Sequence, residues 1–207
     1  MPGEALEAFA NRLVLFIARH WLFLLNTTVG LFVGLPILAP ILMARGYTWP
    51  AAAIYFLYRF ACHQLPHRSF FLGGPKMAYT FAEISAVTGE TDPIRMEHRP
   101  LADPALGYQV AFCQRDVAIF GTLLLAGLLF ARIRHRMRPL PFKAYLLFIA
   151  PMALDGLPQL LGLWESHWLL RTLTGALFGL ASMWLAYPYL EMGMGEIRAD
   201  LEQENPE

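Results

Sequence analysis

Long apolar runs alternate with short polar stretches along this chain. Between His20 and Arg45 no charged residue occurs for 24 residues. At about 1.5 Å per residue such a helix crosses a hydrocarbon core of roughly 30 Å, which predicts a first membrane span over residues 21–45. Three further runs, over 108–131, 144–164 and 168–190, are each long enough to cross as a helix and carry very few charges. The run from Pro50 to Ala61 is too short to span and predicts a re-entrant or interfacial helix over 50–62, the alternative being a full span extended through residue 72. Ahead of the first span, Leu6, Phe9, Leu13, Phe16 and Ile17 recur at helical spacing, as in an interfacial amphipathic helix or a forward extension of that span.

Residues 73–107 collect much of the chain's Asp, Glu, Pro and Gly and read as a solvent-exposed loop, within which 77–87 has the pattern of a short amphipathic helix. The pattern as a whole predicts an all-α fold. It describes a polytopic helix bundle forming one membrane domain over 1–207, with about four full spans, one short helix and an N-terminal amphipathic helix.

Composition supports that class. Hydrophobic residues make up 57% of the chain and charged residues 15%, against about a quarter charged in soluble domains. Net charge is zero, but Arg132, Arg134, Arg136, Arg138 and Lys143 crowd one connection, whereas the tail 191–207 is mainly acidic. The positive-inside rule places 132–143 in the cytoplasm. Alternation then puts the 73–107 loop outside and both termini inside. The basic cluster has no interleaved aromatic platform and lies between apolar segments, which argues against nucleic acid as a partner. The start lacks the basic region of a secretory signal, so no cleaved leader is expected.

Polar residues inside such segments are expensive and tend to mark sites or interhelical clamps. The alternation of spans carries Cys62 and His63, Cys113 and Asp116, Asp155 and Gln159, and Ser166, His167 and Arg171 to one face. Cys113 and Asp116, three apart, share a side of a helix. With Cys62 and His63 they make a four-ligand set suited to zinc. The rivals are a Cys62–Cys113 disulfide, favoured by an oxidising compartment, and two packed thiols. Asp155 stands alone in an uncharged span; Arg171 is its expected partner, with Arg115 as competitor, in either a helix-locking ion pair or a functional site. Gly30 with Gly34, and Gly175 with Gly179, have the GxxxG spacing of close-packed membrane helices. Besides the lipid bilayer itself, they suggest a membrane-protein partner or a homo-oligomer.

Taken in order, Cys62-His63-Gln64, Arg68-Ser69-Phe70, Cys113-Gln114-Arg115-Asp116, Asp155 with Gln159, and Arg171 with Thr174-Gly175 resemble a prokaryotic membrane family, domain of unknown function 2085. The resemblance covers about Tyr58 to Leu190. It implies a multi-pass protein of the prokaryotic inner membrane and carries no established activity. In that family's pattern the second motif is often Cys-x-Arg-Cys. Asp116 stands where the second cysteine would be, an exchange that a metal site accommodates and a disulfide does not. The 73–107 loop is long for the family.

The expected function is a zinc-dependent hydrolase or transferase acting on a lipid-borne or small anionic substrate. Cys62, His63, Cys113 and Asp116 would hold the ion, Asp155 would act as base or orienter, and Arg171 or Arg115 would bind the anionic group. The alternative is a non-enzymatic accessory or scaffold subunit with a structural metal or a disulfide.

Overall fold

Helix α1 (Pro2–Ala44) runs without interruption for 43 residues, roughly 65 Å at the usual helical rise. The amphipathic segment is therefore the first part of this helix. The computed structural model describes residues 2–204. Pro36 lies inside α1 and has no N–H to give the carbonyl of Phe32 four residues back. The Tyr58 hydroxyl donates to that carbonyl at 2.9 Å instead.

Tyr58 closes α2 (Thr48–Tyr58), which ends before residue 62. A 3-10 turn over Pro66–Arg68 leads into β1 (Ser69–Leu72), and α3 (Phe81–Thr88) follows. A capping box, in which Thr80 and Glu83 satisfy each other's backbone N–H, starts α3. Next come β2 (Ala102–Asp103), β3 (Gly107–Cys113), α4 (Gln114–Ile133), α5 (Phe142–Leu160) and α6 (Trp168–Glu204).

The all-α expectation is corrected by an antiparallel sheet of order β1-β3-β2. Residues 108–113 belong to its central strand, so the helix expected from 108 begins at Gln114. The reason is visible in the packing. Gly74 and Gly107 meet back to back; a Cβ on Gly74 would lie 2.1 Å from the Leu106 carbonyl oxygen, and Gly107 holds φ at +88°. Only glycine permits both the approach and that dihedral. Val110, Ala111 and Phe112 all pack into a core with Ala39, Ala51, Tyr55 and Tyr58, and Phe71, Tyr79, Ile84, Met96 and Leu106 form a second core in the polar connection. A strand buried on both faces reads as a continuous apolar run, which is why it resembled the start of a span.

Three helices, α1, α4 and α6, are long and apolar enough to cross a membrane. The 19-residue α5 carries Pro151 and Pro158 and is not among them. Helices α4 and α6 lie closely together because a Cβ on Gly179 would stand 2.3 Å from the Ile119 carbonyl oxygen and one on Gly175 would stand 2.8 Å from that of Arg115. The second GxxxG face is thus occupied within the chain. The acidic tail continues α6 through Glu204, and residues 205–207 lie outside the described structure. Glu191 accepts from Trp21 Nε1 at 3.0 Å and faces Arg134 and Arg198, and Arg19 pairs with Glu202 at 2.8 Å. These contacts gather the early part of α1, the end of α4 and the end of α6 at one end of the bundle. The cysteines lie at the other.

Candidate functional site

The switch from β3 to α4 builds the site. Cys113 is extended at φ −73° and ψ 159° and caps α4, its sulfur accepting from the Asp116 N–H at 3.4 Å. The same thiol donates to Asp116 Oδ2 at 3.1 Å. Cys113 pairs in register with Ser69, which ties it to the turn that carries His67 and Arg68. Cys62 reaches the same point from the end of α2, and ligand atoms of Cys62, Cys113 and Asp116 all lie within 4.8 Å of one another. Two donors about 2.3 Å from a tetrahedral ion are roughly 3.8 Å apart, so the observed spacing is near what such an ion requires. Both cysteines are free thiols. A hydrogen bond with Cys62, then burial and the Asp116 carboxylate, push the Cys113 thiol well above its ordinary pKa.

His63 does not join this cluster. Its side chain is 80% exposed, 3.7 Å from Glu97 and stacked against His98. Neighbouring residues in extended backbone point opposite ways, and Gln64, at φ +53°, turns the chain just after Cys62 has pointed inward.

Asp155 is paired with Arg115 rather than with Arg171. Arg115 Nη2 lies 2.5 Å from Asp155 Oδ2 and donates to Gln159 Oε1 at 3.1 Å. The guanidinium reaches α5 beside Gly156, where a Cβ would stand 3.4 Å from Nη1, and the base of its side chain rests against Gly175. Arg171 leaves α6 toward the 3-10 turn, donating to the His67 carbonyl and to Gln114 Oε1, each at 3.1 Å. Ser166 and His167 lie in the α5–α6 connection and at its junction with α6, where the His167 ring accepts from the Leu169 N–H.

Three buried glutamines knit these segments together. Gln64 Nε2 donates to the carbonyls of Tyr55 and Ala111, Gln109 Nε2 to the Gln64 carbonyl and Ser69 Oγ, and Gln114 Nε2 to the Ser69 carbonyl. Tyr55 donates its hydroxyl to the Gln109 carbonyl. Sequence reasoning singled out neither Gln109 nor Glu165, and named Gln114 only as part of the second motif. The available signal for the glutamines was the presence of Gln64, Gln114 and Gln159 close to Cys62, Cys113 and Asp155 in an otherwise apolar setting.

A cleft of about 390 Å³ opens onto the cluster, lined by Cys62, Cys113, Asp116, Arg68, Arg115, Gln159 and Arg171 among others. Within its reach, Arg115 Nε, Arg171 Nε and Gln159 Nε2 are buried without a hydrogen-bond partner among the described residues. Unpaired buried donors are rare and costly. The arrangement is a triad of two thiols and a carboxylate beside several unused cationic or amide donors.

The sequence profile described as predicted membrane protein, DUF2085, matches residues 105–185. An uncharacterised protein of Methanocaldococcus jannaschii is 30% identical over 142 residues, covering 67% of this chain and 70% of the relative. The chain belongs to the DUF2085 family. No solved structure matches it. The matched region of this DUF2085 protein contains Cys113, Arg115, Asp116, Asp155, Gln159 and Arg171, whereas Cys62 and His67 precede it.

Proposed function

We propose that this DUF2085 protein binds a zinc-like divalent ion through Cys62, Cys113 and Asp116 and acts as a hydrolase or transferase on an anionic substrate that is small or borne on a lipid. The convergence of those three donors in a cleft lined by three arginines carries the reading. With His63 turned away, the set has three ligands, and three ligands leave a coordination position for water or a substrate oxygen. An ion there would polarise that oxygen, while the arginines hold the anionic group. Asp155 acts as the orienter of Arg115, since its Oδ2 is committed to that guanidinium. In this reading α5 is the fourth span, the basic connection 132–143 is cytoplasmic, and the site faces the outside of a prokaryotic cell membrane.

Cobalt substitution tests the ion. Cobalt(II) added to reduced, detergent-purified protein should give thiolate charge-transfer and tetrahedral ligand-field bands that disappear in Cys62→Ser and Cys113→Ser but persist in His63→Ala. Absence of those bands in the reduced protein overturns the reading. The proximity of the two sulfurs also favours a second reading, a scaffold protein with a Cys62–Cys113 disulfide. A mass two hydrogens below the reduced chain in protein handled without reductant would support it.

A further inference from the structure

His67, Arg68 and Arg171 converge on a single carboxylate, that of Glu165 in the connection between α5 and α6. Glu165 Oε1 lies 3.1 Å from His67 Nε2, 3.6 Å from Arg171 Nη2 and 3.9 Å from Arg68 Nε. The side chains of His67 and Arg171 are only 4% exposed, whereas that of Glu165 is 52% exposed. Two guanidiniums therefore face one carboxylate, since Asp155 is taken by Arg115. Arg68 Nε, Arg171 Nε and His67 Nδ1 have no hydrogen-bond partner among the described residues. A carboxylate entering from the solvent side leaves the two guanidinium Nε–H donors idle.

The point of convergence lies where three clefts meet. Arg68 and Arg171 both line the cleft of the Cys/Asp cluster. His67 and Glu165 together border two more, of about 450 and 510 Å³. Buried donors with unused hydrogens, excess positive charge and adjoining space are the attributes of an anion site.

We propose that His67, Arg68 and Arg171 form a phosphate-binding site in which the Glu165 carboxylate is an internal surrogate that the ligand displaces. Phosphate fits better than a second carboxylate because donors arriving from two segments, the 3-10 turn and α6, outnumber the oxygens that one carboxylate offers. A tetrahedral group with several terminal oxygens satisfies such an arrangement, and its second negative charge balances the second guanidinium. Glu165 has solvent beside it into which to swing. Exposed Leu161, Leu163 and Trp164 flank Glu165 on the same connection, at a level suited to headgroups. The phosphate group belongs either to a lipid headgroup or to a soluble ester. This inference deepens the reading of the neighbouring cleft and rests on it for any catalytic meaning; the phosphate site shares Arg68 and Arg171 with that cleft but includes none of the three proposed metal ligands.

The test uses the full chain, with and without chelator treatment. Inorganic phosphate is titrated by calorimetry into detergent-solubilised protein, and nanodiscs containing phosphatidic acid are compared with phosphatidylcholine nanodiscs by native mass spectrometry. Removing the competing carboxylate in Glu165→Gln should tighten binding about tenfold, and Arg68→Gln should weaken it about tenfold, as expected for one charge-assisted hydrogen bond. Arg68 is partly exposed, so its variant keeps the fold, which a thermal melt verifies. Binding of inorganic phosphate assigns a soluble ester; binding confined to phosphatidic acid assigns a headgroup. Either supports the site. Unchanged or weaker affinity in Glu165→Gln overturns it, as does failure of both probes to bind. Binding that survives chelation while cobalt bands are absent keeps the phosphate site and removes the metal, whereas binding that requires the metal overturns the phosphate site and leaves the metal.

Discussion

Asp155→Asn removes a charge from the Arg115–Asp155 pair while keeping its shape. The Arg115 side chain is 21% and that of Asp155 2% exposed, which puts the contact among buried pairs rather than surface ones worth at most about 1 kcal/mol. Two unit charges about 4 Å apart at an effective dielectric of about 20 attract by about 4 kcal/mol. Against that loss, asparagine still offers Arg115 an acceptor, and Gln159 keeps its bond to the guanidinium at 3.1 Å. The net destabilisation should be about 2–3 kcal/mol, with the melting temperature falling by roughly 5–10 °C. Thermal unfolding in detergent of Arg115→Gln, Asp155→Asn and the double variant forms a cycle that isolates the pair, with an expected coupling above about 1 kcal/mol. A parallel cycle with Arg171→Gln should show coupling below about 0.5 kcal/mol. If Asp155 couples to Arg171 instead, or if Asp155→Asn melts with the wild type, the assignment of this clamp is refuted.

Gly179→Ala would drive a methyl to 2.3 Å from the Ile119 carbonyl oxygen, forcing α4 and α6 apart at a cost of about 1–3 kcal/mol. Gly34→Ala, with nothing within 4 Å, should be neutral or slightly stabilising, and melting curves of the two variants distinguish a packed glycine from an open one. Burial, and then Arg68 and Arg171, lower the His67 pKa to about 4. Between about 6.5 and 4 the unfolded chain binds a proton that the folded chain does not. Stability contributed by neutral His67 is therefore present above pH 6.5 and is lost as pH falls toward 4, by at most about 3 kcal/mol. The melting-temperature difference between wild type and His67→Asn should change across that window; a constant difference refutes the burial argument. Hydrogen bonds to Lys76 and Thr80 hold Glu83 down to about 2, so the cap of α3 should persist as pH falls through 4.5 and fray only near 2, as read by amide exchange of residues 81–84.

Much of this architecture was legible in the apolar runs. The cores of α1, α4, α5 and α6 follow directly from uncharged lengths, and the polar motifs converge because consecutive helices reverse direction. Strand β3 was hidden because Tyr108–Cys113 is buried on both faces, so the twofold alternation that betrays a half-exposed strand is absent. Asp155 pairs with the competitor Arg115 rather than with Arg171, which proximity along the chain favours. Gly156 and Gly175 open a path for Arg115 that becomes visible only once α4, α5 and α6 are packed. His63 illustrates a different limit. A Cys-His doublet reads as two ligands, yet adjacent side chains diverge unless the backbone doubles back, and the left-handed turn at Gln64 directs the histidine to Glu97 and His98 instead. Glu165 gave no signal at all, since a carboxylate in a short connection between helices is ordinary until a histidine and two guanidiniums are found around it.

The central claim is that Cys62, Cys113 and Asp116 hold an ion. Its most direct test is the metal content of reduced protein purified without chelator, measured by inductively coupled plasma mass spectrometry beside Cys113→Ser and His63→Ala. The account predicts close to one zinc per chain in the wild type and in His63→Ala, and almost none in Cys113→Ser. Wild-type protein that carries no stoichiometric metal, and whose intact mass before reduction shows a Cys62–Cys113 bond, would contradict it.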